Sequence, residues 1–173
     1  MSSGAVVFLT GLPSSGKSLL AENVRGRLLE IDVPCCVLDG DRVRECLVPA
    51  PGYDADGRAG FYETLARLAA LLAGQGLVVL VAATANLRRY RDRAAELAPK
   101  YLEVWVNVGS DECRRRDTKG LYAAFARGQA RDIPGEDAVY EPPLSAAIEA
   151  SGGLDQRACD AIVTAIRGVP VAR

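Results

Sequence analysis

The chain contains no histidine at all and only one methionine and one tryptophan in 173 residues. Without an imidazole, no histidine-based triad, proton shuttle or His-ligated metal is available, so proton chemistry falls to carboxylates or lysine. Cysteine is sparse: Cys35, Cys36, Cys46, Cys113 and Cys159 make an odd count of 5, with no C-x-x-C pair. That pattern argues against a disulfide framework and against a zinc site, and free thiols fit a reducing, cytoplasmic setting. Long apolar runs are missing too. Leu77 to Ala83 is far too short to cross a bilayer, and no signal peptide is expected, because the N-terminus runs straight into a strand. There is no excess of either charge: 21 basic residues face 22 acidic ones, for a net charge of −1. Neither a nucleic acid nor a membrane is therefore expected as a partner.

What remains reads as an ordinary globular protein, with 49% hydrophobic and 25% charged residues, and as one domain over residues 1–173. Short apolar runs alternate with helical periods. Ala5 to Thr10, Cys35 to Leu38, Leu77 to Ala82 and Tyr101 to Val106 read as buried strands, and Ala146 to Ala150 as a weaker fifth. Helices are predicted over Leu19 to Glu30, Phe61 to Ala73, Leu87 to Leu97 and Asp155 to Ile166, with a short one from Ser110 to Arg116 capped by Ser110. Val48 to Gly60 reads as a loop. Continuously apolar strands between helices predict an α/β three-layer sandwich with a mainly parallel sheet. Asp117 to Pro143 has no clear period and is long for a plain connection, as a functional lid or a disordered segment would be. Trp105 and the Cys35–Cys36 pair are most simply packing residues.

Gly11-Leu12-Pro13-Ser14-Ser15-Gly16-Lys17-Ser18 matches G-x-x-x-x-G-K-[ST], after a strand and before a helix. Glycines let the backbone wrap phosphate oxygens, and loop amides with a helix N-terminus supply positive potential. Lys17 is expected at the β- and γ-phosphates of ATP and Ser18 on Mg²⁺, with Leu19 completing the nucleotide contacts. No N-K-x-D segment is present to read guanine, and the chain is short for a motor ATPase. A small-molecule kinase fits best.

Asp39-Gly40-Asp41 follows the second strand, at the sheet edge beside the P-loop. One carboxylate can serve Mg²⁺ and the other the proton of an attacking hydroxyl; equally, the pair can be a turn with an N-capping aspartate. Arg44, a turn later, can hold an anionic group. Among the basic residues near the late segment, Arg116 is the best candidate for the phosphates. Arg114 and Arg115 read as a solvated face, and Arg88, Arg91 and Arg93 either as surface charge or as lining the acceptor site.

With G-L-P-S-S-G-K-S, L-D-G-D-R-V-R (38–44), R-D-T-K-G-L-Y (116–122) and Y-E-P-P (140–143), the chain resembles the adenylylsulfate (APS) kinases, P-loop kinases that phosphorylate the 3′-hydroxyl of adenylylsulfate. The resemblance implies that Asp39 and Asp41 lie at the metal and the acceptor hydroxyl. It also implies that Arg44, Arg58, Tyr53 and Lys119 hold the acceptor, that residues 117–143 form a lid, and that the protein is a homodimer. The same likeness exposes departures. The family's E-N-I-R-R stretch is G-F-Y-E-T here, putting Phe61 in place of a substrate-binding asparagine and Glu63 and Thr64 in place of arginines. Its S-P-[YF] is Ala85-Asn86-Leu87. The lid phenylalanine that stacks on the substrate adenine is Ile133. All three stretches are expected at the acceptor site. Hence a second acceptor class, another nucleotide-linked or nucleoside hydroxyl, stands beside adenylylsulfate. A nucleotide-binding module without catalysis is the alternative of a different kind, and retention of Asp39, Asp41 and Lys119 speaks against it.

Overall fold

The computed structural model describes residues 4–168; the two ends of the domain expected over 1–173 lie outside the described residues. Five strands form one sheet: β1 (Ala5–Thr10), β2 (Cys35–Asp39), β3 (Val78–Ala82), β4 (Tyr101–Val106) and β5 (Ile148–Ala150). Their order is β2-β3-β1-β4-β5 and every pairing is parallel. The chain moves from β1 outward to β2, returns through β3, and crosses to the far side of β1 for β4 and β5. The carboxyl ends of β1, β2 and β3 thus open beside this reversal, where ligands of open α/β sheets bind.

Alternation along each buried strand assigns the two faces. Val7, Leu9, Leu80, Val104 and Val106 pack under α1 (Lys17–Leu29) and α7 (Gln156–Arg167). Val6, Phe8, Val79 and Val81 pack under α3 (Ala55–Gly74) and α4 (Arg88–Leu97). Short helices α2 (Gly40–Cys46), α5 (Ser110–Arg116) and α6 (Leu121–Ala126) sit at the carboxyl edge. The expected three-layer sandwich is the observed one, with a sheet that is parallel throughout.

Several local expectations are corrected. Helix α3 begins at Ala55, because Asp54 caps it by accepting from the Gly57 N–H at 2.8 Å; Arg58 and Gly60 are helical, not loop. Helix α5 is capped at Gly109 with no side-chain bond, so Ser110 is its first residue and not its cap. The late segment contains α6, held by Asp117, whose carboxylate accepts from the N–H groups of Tyr122 at 3.0 Å and Ala123 at 2.9 Å. Trp105 is half-buried and lines a small cleft with Leu12 and Tyr140 instead of sitting in the core.

Candidate active site

The loop between β1 and α1 is shaped by backbone crowding. Gly16 has φ 102°, and a β-carbon there would stand 2.5 Å from the Gly153 nitrogen. One at Gly11 would stand 2.5 Å from the Val106 carbonyl oxygen. Both glycines are therefore required by contact as well as by conformation. Lys17 folds back over the loop, and its Nζ donates to the carbonyls of Gly11 (2.9 Å) and Leu12 (2.8 Å). Burial, helped by the nearby Lys119 charge, lowers its pKa to about 8, against opposing pulls from Asp41, Cys113 and Asp39.

Asp39 does two things at once. Its Oδ1 caps α2, accepting from the N–H of Asp41 (3.0 Å) and of Arg42 (3.4 Å), while Oδ2 accepts from the Ser18 hydroxyl. The cap and the metal-ligand readings of Asp39 thus use different oxygens and do not compete. Asp41 points elsewhere and pairs with Lys119 from the late segment. Burial pulls Lys119 down, but its bond to Asp41 and the Asp41 charge outweigh this and hold it above the ordinary lysine value.

One cavity of about 1560 Å³ spans the edge of the sheet. Its nucleotide half is walled by Pro13, Ser14, Gly16, Lys17, Ser18, Leu19 and Arg116. Gly11 and Ser15 lie beneath this wall; Ser15 is fully buried, and its hydroxyl has no partner among the described residues. Arg116 reaches the loop from the side, with Nη1 donating to the Ser15 carbonyl at 3.4 Å and Nε to Glu112 at 2.6 Å. The other half is walled by Asp41, Arg44, Tyr53, Arg58, Lys119 and Ile133. Arg58 is buried and donates to the Asp132 carbonyl, so α3 and the late segment meet across the cavity.

Of the departing residues Phe61, Glu63, Asn86 and Ile133, only two reach this wall. Phe61 lies under Arg44, and Ile133 faces the cavity while 2% exposed. Glu63 turns away to bind Arg67 (2.7 Å) and Arg93 (3.0 Å), which depress its pKa. Asn86 is buried elsewhere, donating to the Val139 carbonyl at 2.8 Å. Arg88, Arg91 and Arg93 do not line the cavity either. Arg91 is 2% exposed and ties Glu103 to the carbonyls of Ala85 and Glu141. A charge this deep needs such partners, and an arginine-rich helix gives no sign in sequence of which guanidinium turns inward.

The sequence also concealed part of the nucleotide half. Gly152, Gly153 and Leu154, between β5 and α7, line the cavity beside Arg116. Gly153 lies against Gly16 and is held by Asn23, whose Nδ2 donates to its carbonyl at 3.0 Å. The paired glycines were the available signal. Tyr122 is a second such residue: its hydroxyl donates to the Pro13 carbonyl at 3.0 Å, pinning α6 on the P-loop.

Known proteins share this fold. Residues 3–151 match the sequence profile of the Adenylylsulphate kinase family. The adenylyl-sulfate kinase of Gloeothece citriformis is 35% identical over 153 residues, covering 88% of this chain and 87% of its own. That of Chloroflexus aurantiacus is 40% identical over 142 residues, covering 82% and 76%. The Mycobacterium tuberculosis APS kinase CysC, solved in complex with AMPPNP and APS, superposes with a TM-score of 0.87 at 34% identity, over 94% of this chain and 97% of its own. The chain belongs to the adenylylsulfate kinase family.

Proposed function

We propose that this member of the family transfers the γ-phosphate of ATP to the 3′-hydroxyl of adenylylsulfate. The observation that carries the reading is the single cavity in which a P-loop lysine and serine, two carboxylates from the end of β2, and two buried arginines converge. A hydrolase would have no use for the second, cationic half.

In this reading Lys17 exchanges its two loop carbonyls for the β- and γ-phosphate oxygens, and Arg116 adds charge from the opposite side. Asp41 orients the acceptor hydroxyl and takes its proton, once Lys119 turns from Asp41 to the acceptor. Arg44 and Arg58 hold the anionic group, and Tyr53 with Ile133 border the base. The Ser18 hydroxyl and Asp39 Oδ2 are hard oxygen donors that meet at the end of the P-loop, as a Mg²⁺ site completed by water and phosphate requires. Among the described residues no cluster of three or more acidic, Cys or His side chains forms a metal cage. When bound, Mg²⁺ would offset phosphate charge. The lid, residues 117–143, closes the cavity against water.

A different acceptor is favoured by one observation: the wall contributes Phe61 and Ile133 where the family pattern has an asparagine and a phenylalanine. Coupled ADP release decides between the two. Adenylylsulfate is expected to drive it, with stoichiometric 3′-phosphorylated product; release driven only by another hydroxyl compound would replace the acceptor, and tight ATP binding with no turnover on any acceptor would leave a binding module. The same reading includes a homodimer, to be checked by light scattering, and a cytoplasmic protein. Its five thiols are free, and no helix among the described residues is long and apolar enough to cross a membrane.

A further inference from the structure

We propose that Phe61 is a positioning residue which, with Tyr53, clamps the guanidinium of Arg44 so that only its donor edge meets the cavity, and so sets affinity for the anionic acceptor. The inference rests on the reading above and adds to it the device that aims the arginine.

Arg44 is 7% exposed yet lines the cavity. Its Cζ lies 4.0 Å from the Phe61 ring centroid and 4.3 Å from that of Tyr53. Both are within the range of cation–π attraction. Its Nη1 donates to the carbonyls of Pro51 and Gly52, each at 2.9 Å. These carbonyls are its only acceptors among the described residues; no carboxylate pairs with it.

A guanidinium carries its N–H groups in one plane. Here Cζ stands over both rings, and one corner, Nη1, is spent on the two carbonyls. The Nε–H and Nη2–H donors remain, side by side, along one edge. That edge matches two oxygens of a tetrahedral sulfate or phosphate. A buried cation with no counter-ion is costly, and ring faces with two carbonyls meet part of that cost without neutralising the charge. The charge is thus held in place for a ligand anion.

Phe61 can act as the fixed jaw because it is itself immobile. It is 2% exposed in the α3 core face and meets the Tyr62 ring edge-on at 5.3 Å. Tyr53 is 56% exposed and forms the outer jaw.

The test is steady-state kinetics at saturating ATP, which occupies the P-loop, with adenylylsulfate varied and inorganic sulfate as the inhibitor. Phe61→Leu keeps an apolar core side chain but removes the ring. It is expected to raise the KM for adenylylsulfate and the Ki for sulfate about three- to tenfold, with kcat and the KM for ATP unchanged. Phe61→Tyr, which restores a ring, should return both constants. Tyr53→Leu alters only an exposed side chain and should weaken sulfate too. Sulfate has no base, so that loss cannot come from base stacking. Unchanged acceptor KM and sulfate Ki in Phe61→Leu overturn the clamp while leaving the kinase reading intact. So does a joint fall in kcat and in ATP affinity that Phe61→Tyr does not rescue. If the parent protein makes no product from adenylylsulfate, the adenylylsulfate reading fails. Calorimetric sulfate binding to the ADP-loaded protein then decides the clamp, which stands if Phe61→Leu binds more weakly than the parent and falls if it does not.

Discussion

At the scale of single residues, the P-loop lysine carries a pH signature. Its pKa of about 8 lies below the ordinary lysine value of 10.5 because the folded loop buries the ammonium. The folded state therefore binds Lys17's proton less well than the unfolded chain does. This costs stability fully below about pH 8 and is relieved as pH rises toward 10.5. Phosphate oxygens would reverse the shift by replacing neutral carbonyls with negative charge. Nucleotide binding is therefore expected to take up protons at about pH 9 and progressively fewer toward neutrality, where Lys17 is charged in both states. Calorimetry in buffers of different ionisation enthalpy reads this directly; uptake that does not change with pH would dismiss the proposed role of burial.

Asp39 allows its two oxygens to be tested apart. In Asp39→Asn the amide oxygen can still cap α2 while the charge facing Ser18 is lost. Stability is expected to stay within about 0.5 kcal/mol of the parent, with turnover down at least about 100-fold. Asp39→Ala should lose both, adding about 1 kcal/mol of destabilisation by denaturant titration. Equal stability of the two variants would mean that the cap contributes nothing.

At the scale of elements, what could be read in advance followed from how locally each element is determined. Strands β1 and β4 run over the residues that their apolar runs mark: β1 is buried along its whole length between parallel neighbours, and β4 keeps Val104 and Val106 in the core. Helix α3 starts earlier than its sequence suggests: Gly57 and Gly60 look like loop residues, and only the Asp54 cap shows that the helix begins before them. The acceptor wall was half legible. Phe61 and Ile133 reach it, but Glu63 and Asn86 do not, since which way a side chain leaves a helix or loop depends on partners such as Arg93 and Val139 that are distant in sequence. Arg91 is the clearest such case. It joins α4 to β4 and, through the Glu141 carbonyl, to the end of the 117–143 segment, and Arg91→Leu should cost about 3–5 kcal/mol by leaving Glu103 unpaired. Asp155 lies nearer to its reading: taken from the sequence as the first residue of the last helix, it stands one residue before α7 and caps it, at 3.0 Å from the Ala158 nitrogen. Bonds from Ser151 and Ala158 hold its pKa at about 2. Its contribution is thus full above the ordinary carboxylate range and lost as pH falls toward 2. In Asp155→Ala the acid limb of the stability profile should flatten, alongside a loss of about 1 kcal/mol near neutrality.

At the scale of the whole molecule, the lid touches both halves of the cavity through different bonds. Tyr122 donates to Pro13 in the nucleotide loop, while Lys119 pairs with Asp41 and Arg58 donates to Asp132 on the acceptor side. On the proposed assignment one segment would contact both substrates, and a partial release on one side should be felt as leakage and not as simple loss. Tyr122→Phe tests this cleanly. The ring, 6% exposed and part of the core, is kept, and only the hydroxyl that holds α6 to the P-loop is removed. Leaving one carbonyl unpaired costs on the order of 1–3 kcal/mol when it stays dry, and less when water reaches it. On the proposed assignment, water reaching Pro13 would enter the nucleotide half of the cavity. The expected result is a several-fold rise in ADP formed per acceptor phosphorylated, with the melting temperature nearly unchanged and acceptor KM less affected than coupling. Measuring ADP and phosphorylated acceptor in the same reaction gives the ratio. A fall in both products at a constant ratio would show instead that the lid positions substrates without excluding water, and that closure over the two halves is not concerted.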